Sequence, residues 1–337
     1  MKIIVDAFGG DNAPAEVLKG CQMAVSELDG VEVILTGDKA AIEKAAKDNQ
    51  VSMEKMEICH AGQVMDIHNE PTALLKEFSD SSMAVGCRLL AEGKGDAFVS
   101  AGSTGALVVG ATFIVKRIKG IKRVTIGSVI PCQGGCYLLV DAGANADCRP
   151  EMLQQFAVMG SIYMQKFFGL PSPRVGLVNI GAEETKGTQL QLDAFPLLEN
   201  SPVNFIGNIE PREIPLGGCD VAVADGFTGN VILKLTEGMG KFISSEVKGL
   251  FTGGPLGMLS ALGVRKQITA FKKQMDYKEY GGAPLLGAAG LVIKAHGSSD
   301  AKAFKNAIRQ AVTCKKQDVV GEMAKAVTSL REKEKPN

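Results

Sequence analysis

Short apolar runs that end in small or polar residues alternate with stretches of helical spacing along most of the chain. KIIVDAF (2–8) has the continuous hydrophobicity of a strand buried on both faces, and a helix is predicted over 15–28. VEVILTG (31–37) precedes a predicted helix over 39–48. MEICHA (56–61) precedes helical pieces near 71–78 and 82–92, and AFVSAG (97–102) leads into a helix starting near Thr104. VTIGSVIP (124–131) and CYLLVDAG (136–143) flank Cys132-Gln133-Gly134-Gly135 and predict a hairpin. A helix over 150–168 opens on Pro150, where no amide hydrogen is missed. RVGLVNIG (174–181), VNFIGNI (203–209) and DVAVADG (220–226) predict three more strands, followed by a long helix from Gly229 to about Leu250. GLVIKAHG (290–297) is the last predicted strand and 300–333 a helical tail. Strands alternating with helices in this way predict parallel βαβ units, an α/β fold with a mostly parallel sheet.

Composition narrows the function. The 337 residues carry 37 basic and 37 acidic side chains, so a nucleic-acid coat, which needs a basic excess, is excluded. No tryptophan is present, which disfavours base-stacking platforms. Eight cysteines are too sparse for a disulfide scaffold, and the apolar run at the start is cut short by Asp6, too short for a secretory core. A cytoplasmic chain with reduced thiols is expected. The longest charge-free stretch, 97–115, is broken by Gly102-Ser103-Thr104-Gly105 and reads as strand, turn and helix start rather than a membrane span. Residues 249–280 break the alternation. A charge-free, glycine-rich loop precedes RKQITAFKKQMDYKEY, whose Ile268, Phe271 and Met275 recur at helical spacing. That segment reads as a core piece or dimer contact, with a membrane-surface element as the alternative.

Ligands of open parallel sheets bind at the carboxyl ends of the strands. Here those ends carry Asp6, Gly9, Gly10 and Asp11; Gly102, Ser103, Thr104 and Gly105; Asn145; Asn179; Asp225, Gly226, Thr228, Gly229 and Asn230; and His296. Glycine admits close backbone approach, and a helix start offers amide hydrogens to an anion, so the set predicts one polar, anion-binding pocket. Lys186, in Glu183-Glu184-Thr185-Lys186-Gly187, is the candidate cationic ligand. The sequence contains no P-loop, no completed G-x-G-x-x-G, no nucleophile elbow and no H-E-x-x-H helix. Cys132, Cys136 and Cys148 lack a second metal pair and are read as structural thiols, so no metal and no cofactor is expected. His60 and His68 are read as structural and His296 as functional.

DAFGGDNAP, SAGSTGA, LLVDAGANADCRPEMLQQFAVMG, GLVNIGAEETKG, FIGNIEPREI, DVAVADGFTGNVILK and YGGAPLLG…GLVIKAHGSSDAKA occur in order over nearly the whole chain. Together they resemble the bacterial phosphate acyltransferase family of phospholipid synthesis. Departures are Ser103, where the family commonly has Asn, and Ala288-Ala289, where it has a bulkier, more polar pair. The resemblance implies a single domain over 1–337, folded as a homodimeric three-layer α/β/α sandwich like the phosphotransacetylases and isocitrate-dehydrogenase-like enzymes. It implies transfer of a fatty acyl group from acyl-carrier-protein thioester to orthophosphate, the acyl phosphate then serving a glycerol-3-phosphate acyltransferase. Chemistry agrees with it. Phosphate is already ionised near neutral pH and a thiolate, of parent pKa about 8.5, leaves with little acid assistance. Positioning and oxyanion stabilisation remain, and both can come from amides and a few polar side chains. Lys186 and the turn at Ser103–Gly105 would hold phosphate, Asn230 and Thr228-Gly229 would face the carbonyl, Asp225 and Asn145 would orient them, and His296 would assist. The alternatives are a coenzyme A-dependent phosphotransacetylase, a membrane-docked interaction module and, last, a dehydrogenase.

Charge neutrality conceals basic clusters. Lys116, Arg117, Lys119, Lys122 and Arg123 form one; Arg265, Lys266, Lys272 and Lys273 form another beside the apolar loop. Acyl-carrier protein is acidic and bacterial membrane surfaces are anionic, so these patches predict carrier docking and peripheral membrane contact.

Overall fold

Each strand of the central sheet splits its side chains between two cores. In the computed structural model, which describes residues 1–252, 263, 264, 266 and 280–333, β1 (Lys2–Asp6) sends Ile3 and Val5 into one core and Ile4 into the other. The continuous apolar runs of the sequence are the consequence, because both sheet faces are covered. The first core packs α1 (Ala15–Glu27), α2 (Lys39–Asp48), α5 (Pro150–Phe168), α6 (Gln189–Glu199), α8 (Ala301–Lys316) and α9 (Val319–Lys333). The second packs α3 (Ser82–Ala91), α4 (Thr104–Val109) and the first turns of α7 (Gly226–Thr252).

The remaining strands are β2 (Glu32–Gly37), β3 (Met56–His60), β4 (Ala97–Ser100), β5 (Thr125–Cys132), β6 (Gly135–Val140), β7 (Arg174–Val178), β8 (Asn204–Ile209), β9 (Val221–Val223), β10 (Ala283–Leu286) and β11 (Leu291–Lys294). They form one sheet in the order β3-β2-β1-β4-β11-β10-β5-β6-β9-β7-β8. Two parallel blocks, β3-β2-β1-β4-β11 and β6-β9-β7-β8, flank a centre in which β10 runs antiparallel to both β11 and β5, and β5 antiparallel to β6. The layered α/β architecture is the expected one.

Several boundaries differ from expectation for identifiable reasons. α7 begins at Gly226 rather than Gly229, because Asp225 caps it: its carboxylate accepts the Thr228 amide at 2.9 Å and hydroxyl at 2.7 Å. β10, which the apolar pattern does not reveal, lies in APLL between glycines, and its third and fourth residues pair with β5. The helical tail is two helices, with Asp318 at φ 49° between them. The helical piece near 71–78 is a 3₁₀ turn, Pro71–Leu75. Of the 249–280 segment, the expected helix with Ile268, Phe271 and Met275 lies outside the described residues, as do Arg265, Lys272 and Lys273; Lys266 is exposed. No described helix is long and apolar enough to cross a membrane.

Candidate active site

The end of β11 holds a lysine largely out of water. Lys294 Nζ donates to the Ala101 carbonyl at 3.2 Å and to the Ala295 carbonyl. Desolvation lowers its pKa to about 8, although Asp6 and Asp11 pull it upward. Asp6, at the end of β1, is buried and accepts the Ser100 hydroxyl at 2.6 Å and the Phe8 amide at 3.2 Å. Burial nevertheless holds its carboxyl above the usual carboxylate range. His296 Nδ1 accepts the Ser298 amide at 3.1 Å. Desolvation lowers the His296 pKa; Lys294, Lys234 and Lys241 act in the same direction, and Glu237 opposes them.

A second group forms at the ends of β6 and β9. The buried Asp141 carboxylate accepts four amides, from Ile126 at 3.0 Å, Gly143 at 3.3 Å, Ala144 at 3.1 Å and Asn145 at 2.6 Å. It also accepts Asn145 Nδ2 at 2.9 Å, and the same Nδ2 lies 2.8 Å from the Val124 carbonyl. Asn230 Nδ2 donates to the Ala142 carbonyl at 3.2 Å, tying α7 to this turn. At Gly229 the helix passes so close that an added Cβ would drive into the Asp141 carbonyl oxygen. At Gly10, φ is +97° and an added Cβ would lie 2.8 Å from the Gly297 carbonyl oxygen, so only glycine fits both demands.

Between the two groups lies a cavity of about 630 Å³. Its walls include Thr104, Asn230, Lys294 and His296, with residues of β5 between Ile126 and Pro131 along one side and one face of α7 between Leu233 and Ser244 along the other. Of the residues singled out in the sequence, Thr104, Asn230 and His296 line it directly. Asp6 reaches it through the charge of Lys294, Asp11 through the bond of its amide to the Gly297 carbonyl at 2.8 Å, and Asp225 by capping α7. Asn145 serves Asp141, and Ser103 caps α4 through the Ala106 amide at 3.5 Å.

The glycines expected to clear space for a ligand face protein instead. A Cβ at Gly9 would meet the Gly102 nitrogen at 2.7 Å, at Gly102 the Met83 Cε at 2.6 Å, at Gly105 the Pro71 Cγ at 2.8 Å and at Gly226 the Asn145 carbonyl oxygen at 2.5 Å. They let chain segments close on one another. Lys186 is exposed on the loop after β7 and is not a wall of the cavity. Asn179 clamps that loop through Nδ2 to the Lys186 carbonyl at 3.0 Å.

The hydrophobic pattern does not single out Lys294, which sits inside an apolar strand pattern, nor the charged residues Lys234, Glu237 and Lys241 of α7, which look like any solvated helix face. The available signal for Lys294 was a cation ending a strand otherwise buried throughout. The cysteines are poor nucleophiles: desolvation pushes the Cys136 and Cys148 thiols up to about 12 and raises Cys132 as well. His60 accepts the Lys39 amide at 3.2 Å, a structural bond. Among the described residues no group of side chains is assembled that could hold a metal ion.

Comparison with known proteins places this geometry in a family. A family model described as fatty acid synthesis protein matches residues 1–322. Phosphate acyltransferase from Clostridium botulinum is 46% identical over 332 residues, 98% of this chain and 99% of that one. The chain belongs to the phosphate acyltransferase family. The family member from Acetivibrio thermocellus is 47% identical over 311 residues, 92% of either chain. A phosphotransacetylase from Streptococcus pyogenes has the same fold, with a TM-score of 0.62, 16% identity, and coverage of 97% of this chain and 94% of that one.

Proposed function

We propose that the chain transfers a fatty acyl group from acyl-carrier-protein thioester to orthophosphate by direct attack. The observation that carries this reading is the cavity itself, which sets a desolvated lysine and an anchored asparagine beside a long apolar wall. A phosphate dianion pairs with Lys294, near Thr104. One phosphate oxygen attacks the thioester carbon, and the oxyanion that forms is met by Asn230 Nδ2, held in place from the Ala142 turn. The carbon–sulfur bond then breaks, and the proton left on the phosphate passes to the departing thiolate. His296 stands at the rim where that proton moves. Asp6, Asp141, Asn145 and Asp225 position these groups, and the exposed Lys186 attracts the anionic donor.

The raised thiol pKa values favour this route over an acyl-enzyme. Single-turnover reaction with labelled phosphate tests it. Labelled acyl phosphate should appear in step with thiol release and with no acylated protein; acyl-protein that forms without phosphate would contradict it.

The whole chain 1–337 acts as one catalytic unit in this reading, as a homodimer in the cytoplasm and at the inner membrane surface, handing its product to an acyl-phosphate:glycerol-3-phosphate acyltransferase. Support for the dimer comes from α7, where Phe227, Val231, Leu235, Met239 and Phe242 form an exposed apolar stripe. Support for carrier and membrane contact comes from the basic clusters around Lys116–Arg123 and Arg265–Lys273. The coenzyme A alternative keeps the same chemistry, and comparing the two thioester donors separates them.

A further inference from the structure

The cavity has two unlike walls. Its α7 residues fall on two adjacent rows of the helix: Leu233, Thr236 and Gly240 on one, Lys234, Glu237 and Lys241 on the other, each at spacings of three and four. The second row faces His296, which senses all three of its charges. The first faces the sheet: Thr236 lies beside Tyr137 of β6, and Leu233 packs on the core that holds Ile126 and Ile130. Opposite this apolar row runs the second half of β5. Register puts Ser128 level with Ala283, the first residue of β10, so the strand beyond it has no β10 neighbour. Ile126, still beside β10, and Ile130, beyond it, lie on the face that α7 covers and line a trough with Leu233 and Gly240, and Pro131 is part of its wall at the far end of the strand. From Asn230 to Gly240 it extends about 15 Å along the helix.

Gly240 is the one residue of the apolar row without a side chain. Glycine weakens a helix interior, and no φ or described neighbour demands it here: among the described residues an added Cβ would meet nothing within 4 Å. What it leaves is space over the far end of the trough. We propose that the acyl chain of the thioester lies in this trough, with its carbonyl beside Asn230 and Lys294 and its tail passing under Gly240 toward Pro131. The residue at 240 then sets the longest chain the enzyme accepts. The inference rests on the acyl-transfer reading above and specifies where that substrate's tail goes. Each methylene moved from water into an apolar wall is worth about fourfold in affinity, so blocking the far end penalises long chains selectively.

The test compares kcat/KM for palmitoyl- and octanoyl-carrier protein in Gly240→Leu and Gly240→Ala. Leucine and alanine both favour the helix, so the unfolding midpoint should not fall. In Gly240→Leu, palmitoyl transfer should drop about tenfold or more while octanoyl transfer stays within about twofold, with Gly240→Ala in between. Equal losses for the two donors, or no loss for either, would overturn the placement of the chain. Wild-type protein that releases no thiol from either donor on adding phosphate would instead overturn acyl transfer itself, and this placement with it.

Discussion

Lys294 is a cation held where a cation is costly. With its pKa lowered to about 8, it is charged at neutral pH and loses that charge as the medium becomes alkaline. Expected is a fall in kcat/KM for phosphate as pH rises through about 8, because that ratio reports the free enzyme. Lys294→Met should remove this alkaline limb and lower the rate by about a hundredfold, whereas Lys294→Arg should keep activity above pH 8. Stability carries the opposite sign. Between about pH 8 and 10.5 the unfolded chain holds the proton that the folded chain has lost, so this group makes stability rise with pH across that window. Below it the full cost of burying the charge remains. Lys294→Met should therefore raise the unfolding midpoint at pH 7, with a gain that shrinks toward pH 10. At this scale the sequence reveals polar strand ends but not how far each is from water. Asn230, Thr104 and His296 could be found from their place after strands, whereas Lys294 becomes distinctive only when its desolvation is known.

α7 is the element on which the site depends, and its first turn fixes it. Asp225 caps the helix through the Thr228 amide and hydroxyl, and Asn230 two residues later bonds the Ala142 turn. Asp225→Ala should cost about 1 kcal/mol of stability and loosen Asn230, lowering kcat more than it raises KM. Asp225→Asn retains an acceptor and should recover most of both, as measured by thermal unfolding and steady-state kinetics. Elements with a long apolar run or a clean helical period were legible: α2 and α5 lie at their predicted boundaries. β10 was not, since four residues containing a proline between glycines carry no period, and pairing with β5 and β11 is what makes them a strand. The start of α7 was missed because Gly226 and Gly229 look like turn residues. They are glycines because Asn145 and Asp141 press against them.

The whole molecule is arranged so that two parallel blocks meet over an antiparallel centre, and the cavity sits at that meeting. Alternation of strand and helix predicts the layers, and the hairpin of β5 and β6 was legible in its glycine turn, but the second reversal was not, because the four-residue β10 decides it. On the outer side of α7 the stripe through Leu235 and Phe242, 64% and 58% exposed, is too apolar to face water alone. If this stripe is the seam of the proposed dimer, Phe242→Glu and Leu235→Glu should leave only monomer in sedimentation, while variants at exposed Lys116 or Arg117 should not. Zero net charge likewise hides the cations around the cavity, Lys234, Lys241 and Lys294.

Phosphate-dependent thiol release tests the central claim most directly. Purified protein is mixed with acyl-carrier-protein thioester, and free thiol and hydroxylamine-reactive acyl phosphate are followed as orthophosphate is added. Thiol release should require phosphate, saturate with it and match acyl phosphate one for one. Thiol release at the same rate without phosphate, or none with it, would contradict the assignment.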